Sequence, residues 1–252
     1  MERKDFQFEV CANSVESCIQ AQAGGADRVE LCAGLSIGGI TPSYATIKEA
    51  RKVLDIKLHV IIRPREGDFH YSSLELKIME NDIRLAELVG ADGIVIGCLN
   101  TDGSIDMEAM KRFKDKAGDM SVTFHRAFDC CKDPEASLDQ LISIGVDRVL
   151  TSGGAESALQ GAGLLSRLHQ QAQSRIHLMA GCGVNETNIS DIYRRTGIHQ
   201  YHFSAREKYP TCMTYLNPDV FMGVPGADET SFEVTSAEKV TKTIAALTDT
   251  SL

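Results

Sequence analysis

The pattern Glu-x-Cys occurs twice near the N-terminus, as Glu9-Val10-Cys11 and as Glu30-Leu31-Cys32, each time inside a short apolar run. Residues two apart in an extended strand share a face. Each run therefore turns a carboxylate and a thiol to one side and branched apolar side chains to the other. Two thiols at matching heights on neighbouring strands can approach one soft cation, and thiolates favour Cu(I) or zinc. Cys11 and Cys32 are the candidate metal ligands, with Cys98 or Met179 as a further donor nearby.

Arg63 and His125 end two other apolar runs, and His202 and Ser204 lie on a third. The same alternation turns Arg63, Thr123 and His125 toward the side that Glu9 and Glu30 face. A carboxylate base, an imidazole acid and a guanidinium that stabilises negative charge together suit proton transfer on a small anion. On this reading Glu9 or Glu30 is the general base, His125 the general acid and Arg63 the electrostatic stabiliser. The competing use is structural: an ion pair of Arg63 with Glu9 or Glu30 that only fills the interior, since buried charge must be paired.

A second anion site is expected where Gly181-Cys182-Gly183 and Ser204-Ala205-Arg206 follow the last two strands. Backbone N–H groups in two such loops bind phosphate in many barrels. Gly181, Gly183, Ser204 and Arg206 are its candidate residues.

What positions these groups is a degenerate internal repeat. Gly25-Ala26-Asp27, Gly90-Ala91-Asp92, Gly145-Val146-Asp147 and Gly197-Ile198-His199 each follow a helical stretch and open a β-branched or aromatic run. The glycine supplies the left-handed turn that ends a helix. Further strands are expected before the first copy and over 58–63, 121–125 and 176–180, giving eight. Helix starts are signalled by Asn13 with Glu16, by Thr41-Pro42, by Ser72 with Glu75 and by Asp133-Pro134. Eight alternating units in 252 residues fit a single (β/α)8 TIM barrel spanning 1–252. Residues 209–234 read as an irregular loop before a last helix over 236–247. A loop of that length is usually a lid, an interface or partly mobile, and Pro225-Gly226-Ala227-Asp228 is its tip.

Composition narrows the partners. A formal net charge of −9 and no Lys/Arg-rich block argue against nucleic acid. No apolar run approaches the ~20 residues that span a bilayer, and no apolar segment follows the charged N-terminus as a signal peptide requires. A cytoplasmic location with eight free thiols is the expectation.

At these residues the chain resembles the copper homeostasis protein CutC family. The likeness is carried by Glu9-Val10-Cys11, by the string from Gly24 to Cys32, by Gly38-Gly39-Ile40-Thr41-Pro42-Ser43, and by the string from Ile62 to Phe69. It continues in the string from Val122 to Asp129 and in Arg148-Val149-Leu150-Thr151-Ser152-Gly153. The resemblance implies a (β/α)8 barrel in the cytoplasm, a role in copper handling, and self-association as a dimer or tetramer. It also implies Cu(I) as the ligand of the first two strands' cysteines, which are Cys11 and Cys32 here. The alternative is a barrel lyase, isomerase or hydrolase acting on a small anionic or phosphorylated metabolite.

Overall fold

The computed structural model describes residues 2–248 apart from Met222, Val224, Pro225 and Ala227. In it Gly25, Gly90, Gly145 and Gly197 all take positive φ, between 69° and 91°. An L side chain rarely adopts that conformation, so each repeat turns as its glycine predicts. The aspartate two residues on fastens the foot of the neighbouring strand. Asp27, Asp92 and Asp147 accept the backbone N–H of Phe8, Leu58 and Val122 at 2.7, 2.8 and 2.9 Å. His199 stands in the fourth copy, and there its carbonyl accepts the N–H of Gln7 at 2.9 Å, which joins the last barrel strand to the first.

Strands and helices alternate as β1 (Gln7–Ala12), α1 (Val15–Ala23), β2 (Arg28–Leu31), α2 (Tyr44–Val53), β3 (Lys57–Ile61), α3 (Ser73–Leu88), β4 (Gly93–Ile96) and α4 (Met107–Ala117). They continue as β5 (Ser121–Phe124), α5 (Pro134–Ser143), β6 (Arg148–Thr151), α6 (Ala162–Ala172), β7 (His177–Gly181), α7 (Ile189–Thr196) and β8 (Gln200–Phe203). β1 to β8 close into a parallel barrel in sequence order, with β8 paired to β1. The fold is thus a (β/α)8 TIM barrel. The helix starts fall close to where the sequence puts them. Ser72 with Glu75 opens α3 and Asp133 with Pro134 opens α5, whereas α1 and α2 are capped one or two residues later than expected, by Ser14 and Ser43.

The ends of the 209–234 stretch are more regular than the sequence suggests. β9 (Arg206–Pro210) and β10 (Ser231–Thr235) pair as an antiparallel ribbon, and α8 (Ala237–Thr248) follows. Of the expected tip, Pro225 and Ala227 lie outside the described residues. No described helix is long and apolar enough to cross a membrane.

The apolar core is the shell between strands and helices. Val10, Val29, Leu31, Val60, Ile62, Val122 and Phe124 are buried there, as alternation requires. Inside the barrel the apolar contribution is slight: Ile61, Val95 and Cys32 cluster with Cys11 and Leu35. Met179 and Leu150 add to it, and the other interior side chains are largely polar, among them Glu9, Arg28, Glu30, His59, Thr123 and Arg148.

Candidate metal centre

The parallel register sets Glu9 level with Arg28 on one side and His202 on the other, and Cys11 level with Glu30. Two storeys result. On the lower one Glu9, fully buried, forms an ion pair with Arg28 and accepts from His202 Nδ1 at 2.8 Å. His59 Nδ1 stands 3.9 Å from the same carboxylate. Arg28 also reaches Met179 Sδ at 3.3 Å, and Arg148 donates to Gln200 Oε1 at 2.6 Å and Thr123 Oγ1 at 3.0 Å. Burial works to raise the Glu9 carboxyl, but the charge of Arg28 and the hydrogen bond from His202 hold it well below the usual carboxylate range. Its carboxylate is engaged by Arg28 and His202.

On the upper storey Cys11 Sγ and Cys32 Sγ are 3.8 Å apart, and Cys32 Sγ lies 3.4 Å from Glu30 Oε2. Cys11, Glu30 and Cys32 form a potential metal-ligand cluster, each offering a donor atom within 4.8 Å of the others. His202 Nε2 is 3.7 Å from Glu30 Oε2. Either thiol can donate to the other across this contact. Cys11 is the more acidic, because Cys32 and His202 hydrogen bond its thiolate, and the same contact with Cys11, together with burial, pushes the Cys32 thiol up. Burial and the negative charge of Cys11 push Glu30 up to about 8. His202 goes the other way: burial disfavours its cation, yet its bonds to Cys11 and Glu9 and the nearby Glu30 raise it well above an ordinary imidazole. A thiolate beside an imidazolium that is oriented by a buried carboxylate can hold a soft cation or act as a nucleophile.

These groups open into a cavity of about 310 Å³ at the C-terminal mouth of the barrel, walled also by Leu35, Ile61, Arg63, Phe69, His125 and Leu150. Arg63 and His125 thus share a chamber with Cys11, Glu30 and Cys32. The expected ion pair between Arg63 and Glu9 or Glu30 is not formed, because Arg28 occupies Glu9 from the next strand. Arg63 instead donates to the carbonyls of Ile37, Gly39 and Gly67 at 3.2, 2.9 and 2.8 Å. Room for the imidazoles comes from β4 and the residue after it. A Cβ on Gly93 would meet His59 Nε2 at 2.5 Å, and one on Gly97 would meet the His125 ring at 2.6 Å.

Cys98 packs in the outer shell and Met179 lies on the lower storey against Arg28, so neither joins the thiol pair. Of the second anion site, Gly183, Ser204 and Arg206 line a separate groove of about 450 Å³ with Glu186 and Lys239. Gly181 stands apart from it, facing Leu150 and His202 inside the barrel. Arg206 is already paired with Glu233 across the ribbon.

Sequence reasoning passed over Arg28, His59 and Arg148, although each alternates with a helix-facing neighbour and so shares the parity of the residues it did single out. Arg126 and Asp129 line the mouth as well. Asp129 pairs with Arg126 at 2.8 Å and accepts from Thr151 Oγ1 at 2.5 Å and from the N–H groups of Ser152 and Gly154.

The sequence profile of the CutC family matches residues 6–207. A family protein CutC from Bacteroides thetaiotaomicron is 54% identical over 97% of this chain and 99% of its own length. A human protein named copper homeostasis protein cutC homolog is 46% identical over 93% of this chain and 86% of its own. Among solved structures, CutC from Streptococcus agalactiae superposes with a TM-score of 0.76 at 36% identity, covering 79% of this chain and 98% of that one. With a shared profile, near full-length relatives and the same barrel behind it, this chain belongs to the CutC family.

Proposed function

We propose that this chain handles copper, holding Cu(I) between Cys11 and Cys32 at the mouth of its barrel. The observation that carries the reading is the 3.8 Å separation of the two thiols beside Glu30. A metal about 2.3 Å from each sulfur, the length of a zinc–thiolate bond, lies off the line joining them, with an angle of about 111° at the metal. That angle leaves a corner for a third donor, and Glu30 lies within reach of both thiols. Soft thiolates select Cu(I) or zinc over hard cations, and the name of the human relative favours copper. The thiols must stay reduced, which suits the cytoplasm.

The test is anaerobic titration of the reduced protein with Cu(I) against a chromophoric chelator, repeated with Zn(II). The expected result is one Cu(I) per chain, with affinity falling at least about a hundredfold in the Cys11→Ser/Cys32→Ser double variant. Equal Cu(I) affinity in parent and variant refutes the reading, and so does binding of zinc in preference to Cu(I).

A further inference from the structure

Copper asks nothing of the far wall of the cavity, yet that wall carries the least satisfied polar groups of the mouth. Arg63 and His125 are 5% and 4% exposed. Arg63 Nε and His125 Nε2 are buried without any hydrogen-bond partner. Leaving a buried donor unmet costs about 1–3 kcal/mol, and more for a charged group. Arg63 has a further deficit. Its other nitrogens donate to backbone carbonyls, and among the described residues it enters no ion pair, so a full positive charge is buried against neutral dipoles and the face of Phe69, 5.1 Å away.

The proton on His125 can be placed. Nδ1 accepts the N–H of Ala127 at 3.2 Å, which leaves the ring's own hydrogen on Nε2. Burial, then the charge of Arg63, push this imidazole down to about 3, so it is a neutral donor. Asp129, the other acid of this wall, is already committed to Arg126, Thr151 and two backbone N–H groups. Beside Arg126 and Cys130, the wall carries the apolar side chains Leu35, Ile61, Phe69 and Leu150. A volume of about 310 Å³ sits at the small end of ligand pockets, about 300–1,000 Å³.

We infer that the mouth of the barrel binds a small organic carboxylate, whose oxygens accept from Arg63 Nε and His125 Nε2 and whose short carbon body lies against Leu35, Ile61, Phe69 and Leu150. The carboxylate supplies the charge Arg63 lacks and the acceptors both donors lack. Neither donor is part of the thiol cluster, although Cys11, Glu30 and Cys32 line the same cavity.

The test uses metal-free, reduced protein, so its outcome stands whether or not copper binds. Acetate, butyrate, 2-oxobutyrate and inorganic phosphate are titrated by calorimetry and by thermal shift. Butyrate or 2-oxobutyrate is expected to bind more tightly than acetate and phosphate, because only they fill the apolar wall. Affinity is expected to fall at least tenfold in His125→Phe and less in His125→Gln, which keeps an N–H donor. Should His125→Phe fail to fold, the ¹⁵N resonance of His125 Nε2 in the parent protein is expected to move on addition of the tightest probe. No binding by any probe at millimolar concentration overturns the inference. So does a preference for phosphate, equal binding by His125→Phe, or a histidine resonance that does not move.

Discussion

The two storeys of the barrel interior are built from the same strands, yet they solve the burial of charge in opposite ways. On the lower storey each guanidinium meets a side chain: Arg28 meets Glu9 and Met179, and Arg148 meets Gln200 and Thr123. One step up, Arg63 donates to backbone carbonyls and lies over the Phe69 ring with no carboxylate partner among the described residues, and Arg63 Nε and His125 Nε2 are unmet. The lower storey pairs each of its guanidinium groups with a side chain and reads as framework, with His59 Nδ1 its one unmet atom among the described residues, whereas the upper storey leaves a buried guanidinium without a carboxylate. A single contact ties them, the 2.8 Å bond from His202 to Glu9, so the framework sets the orientation of the imidazole beside Cys11.

The contrast can be broken most directly at Glu9. Glu9→Gln strands Arg28 without its carboxylate and is expected to cost about 3–5 kcal/mol in urea unfolding. A loss below about 1 kcal/mol would mean that the lower storey is no framework. Gly97→Ala drives a methyl into the His125 ring and is expected to cost about 1–3 kcal/mol by the same measurement, less than the ionic lesion because the ring can shift.

Acid should affect both storeys. Burial foremost pushes His59 and His125 down to about 3 from an ordinary 6.5. The unfolded chain therefore takes up protons that the folded chain refuses between those values. Stability contributed by the neutral rings is complete above pH 6.5 and drains away as pH falls toward 3, by about 1.4 kcal/mol per pH unit for each ring. Urea midpoints across that range in the parent and in His125→Phe should differ by one ring's share of the slope; identical slopes would show that the ring is not held neutral. The smallest effect on stability belongs to the thiols. Cys11→Ser is expected to change the unfolding free energy by no more than about 1 kcal/mol, because the mouth contributes ligands rather than support. A larger loss in thermal or urea unfolding would erase the distinction between storeys.

The barrel was legible because its signals are local and periodic. A glycine that must turn, an aspartate after it and a two-residue alternation give strand positions and the inward set Glu9, Cys11, Glu30 and Cys32 without any knowledge of distant contacts. Partners were not legible, since they depend on register between strands. Nothing in the spacing shows that Glu9 pairs with Arg28 rather than Arg63, or that Arg63 is held by carbonyls of Ile37, Gly39 and Gly67. Arg126 and Asp129 escaped notice because the chain leaves β5 for a 3-10 turn over Arg126–Cys130, where alternation no longer applies. The ribbon of β9 and β10 escaped because its residues are largely exposed, so no buried face marks it.

The aspartates at the foot of the barrel carry a consequence for how much the opposite end can vary. Asp27, Asp92 and Asp147 each clasp two consecutive strands at the end remote from the mouth, so three of the four strand pairs, β1 with β2, β3 with β4 and β5 with β6, are latched individually. New loops can be grafted at the top of any latched pair without unfastening it, and a circular permutation opened in the fourth pair, β7 with β8, where His199 stands in place of the aspartate, undoes no such latch.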